Sequence, residues 1–254
     1  MVYRPKMKLA FVTVVAIAFW TVLEATLSFT SNQAPGWTQP SSPNIATLPP
    51  APGTGTPDSG QTPGGTRSPE QVGACKQTNK GLTALVPEKG NQGLTTAEHP
   101  VLWFYIPYAP EAIHFIEFSI HEREKEDTAT FYRTSLQLTK TPGVIGISLP
   151  STPEYALKLN GSYHWYLKIN CDPQEQPEKE IVLDGWVTRV QPSPELVGVI
   201  WYDELTNRAK RYLLEPQNIE MKNAWAELLQ SVDLEELAQA PLVGSVHLSP
   251  KTEN

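Results

Sequence analysis

The chain has 254 residues, with 20 Lys and Arg against 27 Asp and Glu, a net charge of −7, and 24 prolines beside 16 glycines. An acidic balance without a basic stripe excludes nucleic acid as a partner, because phosphate binding needs clustered Lys and Arg. The length allows one or two domains, but proline and glycine crowd the first third, so the globular part is shorter than the chain.

Residues 1–31 read as a targeting segment. Arg4, Lys6 and Lys8 precede the apolar run LAFVTVVAIAFWTVL, from Leu9 to Leu23. The run is shorter than the roughly 20 residues that cross a bilayer, so a cleaved signal peptide is the first reading and an uncleaved N-terminal anchor the second. Either way the protein is expected to be exported, to the periplasm or beyond the cell, and to meet membrane only through this segment. Residues 32–73 are dominated by Pro, Gly, Ser and Thr, with Trp37 almost alone as a large apolar side chain. Such a stretch buries too little to offset its ordering entropy and reads as a disordered linker.

Residues 74–192 carry strand signals. LTALVP, from Leu82 to Pro87, is the first, and VLWFYI, from Val101 to Ile106, the second. In HFIEFSIH, Ile116, Phe118 and Ile120 alternate with Glu117, Ser119 and His121, one face dry and one wet. HEREKED, from His121 to Asp127, reads as a solvated turn before TATFYRTSLQL. GVIGISLP, YHWYLKINC and IVLDGWVTRV complete seven strands. Short strands with no helical period between them predict an antiparallel sandwich. LKLNGSYHWYL sharpens this, since a leucine, an Asn-Gly turn and Tyr163-x-Trp165 resemble the tyrosine corner of immunoglobulin-like sandwiches.

Residues 193–245 change period. Trp201, Leu205, Ala209 and Tyr212 follow helical spacing up to Pro216. A second helix is predicted from Ile219 to Gln230 with Asn218 as N-cap, and Asp233-Leu-Glu-Glu236 has the form of a capping box opening a third, short helix. Residues 246–254 read as a tail. The fold class expected is mostly β: an immunoglobulin-like antiparallel sandwich capped by two or three α-helices.

VLWFYI is apolar on both faces, which predicts a strand covered twice, once by the opposing sheet and once by the helices. The alternative is an exposed strip in which Trp103, Tyr105, Tyr108 and Trp186 stack on sugar rings. Cys75 and Cys171 are the two cysteines, and in an exported chain a pair reads first as a disulfide. A metal or redox role has no support from neighbouring histidines or a C-x-x-C.

LTALVPEKGNQGLTTAEHPVLWFYIPY, TPGVIGISLP, YHWYLKINCDP, DGWVTRV, IWYDELTNRA and WAELLQSVDLEELAQAPL together resemble, in order, the blocks of a cyanobacterial domain-of-unknown-function family, DUF928. The resemblance covers about Cys75 to Val243. It implies an exported protein with a variable proline-rich N-terminal region and matching cysteines at Cys75 and Cys171, and it brings no activity or ligand with it.

Catalytic patterns are sparse. The five histidines show no metal-ligand spacing, there is no G-x-S-x-G elbow and no phosphate cradle, so no cofactor is expected. His164 and its neighbours read as ordinary surface histidines. Asp184 in DGW and Asp203 in WYDEL, each beside tryptophan, are the one acid pair that a glycan-cleaving enzyme could use. The function expected is a non-enzymatic interaction or structural module of the cell envelope, partnered by a protein or a cell-wall glycan. A carbohydrate-binding module and a glycan-active enzyme are the alternatives.

Overall fold

The computed structural model describes residues 75–76, 78–87, 92–123, 128–174, 179–196 and 200–250. The expected leader and linker lie outside the described residues, as do residues 124–127 of the acidic turn. Among the described residues, nine strands form two sheets. They are β1 (Thr83–Ala84), β2 (Gln92–Thr95), β3 (Val101–Ile106), β4 (Phe115–Arg123), β5 (Thr128–Ser135), β6 (Gly143–Ser148), β7 (Ser162–Asn170), β8 (Ile181–Arg189) and β9 (Leu242–His247). The helices are α1 (Trp201–Leu214) and α2 (Ile219–Gln230).

One sheet has the order β1-β3-β6-β9, the other β2-β8-β7-β4-β5. Phe104 of the first meets Trp165 of the second edge to face, with centroids 5.3 Å apart, so the two sheets pack through their apolar faces. The sheets are mixed, which corrects the expectation of antiparallel pairing throughout: β2 runs parallel to β8, and β6 parallel to β9. Parallel neighbours need long crossovers, and both pairs have them. The path from β6 to β9 passes through two strands and both helices. β2 and β9 themselves carry too weak an alternation to be expected as strands, and the first predicted strand shrinks to the two residues of β1.

α1 packs on β2, β3 and β9, and its buried residues are Trp201, Tyr202, Leu205, Thr206 and Ala209. This answers how VLWFYI is used. Phe104 faces the other sheet, while the Trp103 indole N–H, from the opposite face of β3, donates to Thr206 Oγ1 of α1 at 3.0 Å. Gly146 pairs with Trp103 across β6 and lacks a Cβ where one would lie 2.6 Å from Val101 Cγ1 and 3.2 Å from the indole. The strand is covered on both faces.

α2 has the predicted bounds, and Asn218 Oδ1 accepts from the Glu220 N–H at 2.9 Å as its N-cap. The third helix is not formed as predicted. Glu235–Leu237 is a single 3-10 turn, and Asp233 has φ 59°, the left-handed conformation in which the chain leaves α2, so its side chain does not cap that turn. Tyr163 Oη accepts the Lys158 N–H at 2.9 Å, five residues upstream. Cys75 and Cys171 form a disulfide that ties the start of the described chain to the end of β7.

Candidate functional site

The residues singled out in the sequence go to different places. Trp103 is 2% exposed and Trp186 1%; Tyr108 is buried, and Tyr105 is half-buried on the strand. Burial raises the Tyr105 and Tyr108 phenols, with the Glu236 carboxylate a smaller second cause at Tyr105. Asp203, in the first turn of α1, is held by the end of β2: Thr95 Oγ1 donates to Oδ1 at 2.5 Å, and the Thr96 N–H donates to Oδ2 at 2.9 Å, beside the Thr96 hydroxyl. Asp184 is on β8, five strand positions from Arg189, which pairs with Thr95. That is about 16 Å of strand, so the two carboxylates do not flank one cleft.

Asp184 instead joins a group that the sequence does not bring together. On the face of the five-stranded sheet turned away from the core, register sets Trp186 opposite His164 and His164 opposite His121 in one row, and Asp184, Tyr166 and Ser119 in the next. His164 Nε2 lies 2.8 Å from Asp184 Oδ2, and Tyr166 Oη lies 2.8 Å from His164 Nδ1. A carboxylate only accepts, so Nε2 carries a proton and donates to Asp184; in the tautomer protonated at Nε2 alone, Nδ1 accepts from the phenol. The chain Tyr166–His164–Asp184 could pass a proton from phenol to imidazole with the carboxylate steadying the imidazolium. Burial, then the Asp184 charge, raises the Tyr166 phenol, which keeps it protonated near neutral pH.

The surroundings of His164 are aromatic. Its ring stacks on Trp186 with centroids 4.3 Å apart and planes at 13°, and the exposed Arg123 guanidinium sits 5.8 Å from the Trp186 centroid. His121 meets the Tyr166 ring at a right angle, 5.4 Å away, and its Nε2 lies 3.2 Å from Ser119 Oγ. Burial, followed by Arg133, His164 and Lys168, lowers the His121 pKa and favours its neutral form. The sequence held one signal of this group. His164-x-Tyr166 and Asp184-x-Trp186 each put two such side chains on the same face of a strand. What it lacked was the register that brings those strands side by side.

Two other features lie on the helices. A groove of about 220 Å³ between α1 and α2 is lined by Glu204, Asn207, Arg208, Arg211, Met221 and Ala224. At the turn joining the helices, Leu214 is 82% and Ile219 65% exposed, beside the exposed Leu213. Among the described residues, no group of three or more His, Cys, Asp or Glu is placed to hold a metal, and no helix is long and apolar enough to cross a membrane.

No curated protein and no solved structure matches the chain. The family model described as Domain of Unknown Function (DUF928) matches residues 62–242, which include every strand and helix described above except β9, of which only Leu242 is covered. Because that match spans well over half of the sequence, the chain belongs to the DUF928 family.

Proposed function

We propose that the protein is an exported, non-enzymatic interaction or structural module of a cyanobacterial cell envelope, built on a sandwich of immunoglobulin-like kinship. The observation that carries the non-enzymatic reading is the use made of the two acids. Asp203 is bonded by Thr95 and Thr96 at the end of β2, and Asp184 by His164 about 16 Å of strand away, so the two are not placed as the acid pair of a glycosidase. The basic, apolar leader and the disulfide support export, because such a bridge persists in oxidising compartments. Leu213, Leu214 and Ile219, exposed together at one turn, support a protein partner. The tyrosine-corner bond supports the kinship.

The test uses the purified full chain with envelope polysaccharide, read by reducing-end release. No turnover is expected, and Asp203→Asn is expected to lower stability by about 1.5 to 3 kcal/mol through its lost charged hydrogen bonds. Turnover that Asp184→Asn or Asp203→Asn abolishes would overturn the reading. A second reading, a carbohydrate-binding module, is favoured by the polar and aromatic group around His164 and Tyr166, where hydrogen-bonding atoms alternate with ring edges. It moves the binding surface away from β3, whose Trp103 is buried.

A further inference from the structure

Two features lie together beside His164. The Trp186 indole Nε1 is buried and has no hydrogen-bond partner among the described residues. Such a donor is uncommon, because leaving a buried N–H unmet costs about 1 to 3 kcal/mol, and a missing acceptor is its ordinary cause. Arg123, on an exposed strand end, has its guanidinium over the same indole and forms no ion pair among the described residues. Neighbouring charges on this sheet are matched: Arg133 with Glu117, Lys158 with Glu122, and Lys168 with Glu180. Among the described residues, unmet donor and unmatched cation therefore coincide at one ring.

We propose that this face of the five-stranded sheet is a carboxylate-binding site, in which Arg123 and the Trp186 indole N–H hold the oxygens of one carboxylate group. The chemistry selects a carboxylate over a phosphate. One guanidinium forks onto a planar carboxylate and balances a single charge. A phosphate would bring a charge of about −1.5 to −2 close to Asp184, whose own charge is already served by His164. The Arg123 side chain is exposed, and exposed side chains change rotamer in picoseconds to nanoseconds. The site goes beyond the module reading and stands without it, since neither the bonds of Asp203 nor the exposed helix turn bears on it.

The experiment tracks the indole ¹⁵N–¹H signals of the full chain by NMR, with the Trp186 signal assigned by its loss in Trp186→Phe. The probes are sodium glucuronate, sodium acetate and glucose at matched ionic strength. Glucuronate at millimolar concentration is expected to move the Trp186 signal saturably, and Arg123→Gln to weaken that binding about tenfold or more. The remaining indole signals serve as the control for folding. If acetate produces the same movement, the site takes free carboxylates; if glucuronate alone does, the carboxylate comes on a sugar. A Trp186 signal unmoved by either acid, moved equally by glucose, or moved as readily in Arg123→Gln would overturn the proposal and leave ordered water as the indole's partner.

Discussion

Gly93 leaves no room for a side chain. A Cβ there would lie 2.5 Å from Tyr202 Cε2. The ring cannot yield, because its hydroxyl accepts from the Trp165 indole at 3.1 Å and donates to the Trp186 carbonyl at 3.2 Å. Gly93→Ala is therefore expected to cost about 1 to 3 kcal/mol by overpacking, seen as a lower urea midpoint at unchanged slope. Asp172 shows a different dependence. Its carboxylate accepts from Lys179 at 2.7 Å and from the Gln174 N–H at 3.0 Å, and these bonds hold its pKa below the usual carboxylate value. A depressed folded-state pKa gives stability that is complete above the unfolded-state value and lost as pH falls through the folded one. Asp172→Asn should therefore leave acid unfolding less steep, as measured by thermal midpoints between neutral pH and about pH 3.

Elements divide by how their ends are specified. α2 is bounded by local chemistry, an Asn218 cap before it and the left-handed Asp233 after it. Asn218→Ala should cost about 1 kcal/mol and lower Tm by about 2 to 4 °C, with no change in the hydrogen-exchange protection of β7. β3 lies between Pro100 and Pro107, which no continuing ladder would tolerate, so its bounds are also written in the sequence. β2 and β9 have no such marks. QGLT and LVGSVH become strands because β8 and β6 offer them unpaired edges, and an edge lies nowhere in the segment that fills it.

At the scale of the whole molecule, the disulfide closes a separation of 96 residues. The chain-entropy account gives about 4 to 5 kcal/mol for a loop of that length. Reducing the bridge should lower the unfolding free energy by up to that amount, measured by urea denaturation with and without reductant; Cys75→Ser with Cys171→Ser should reproduce the loss. The sequence by itself determined what neighbours along the chain can decide: the alternating faces of β4 and β7, the two-sided apolarity of β3, the capped α2, the Asn-Gly turn before Tyr163, and membership of a family whose blocks run in order. Only the tertiary structure decided that two strand pairs run parallel, that Trp103 is spent on Thr206, and that Asp184, His164 and Tyr166 share hydrogen bonds. The physical reason is register. Side chains 20 residues apart meet across β7 and β8 only when one pairing is chosen, and a slip of one residue would send them to opposite faces of the sheet.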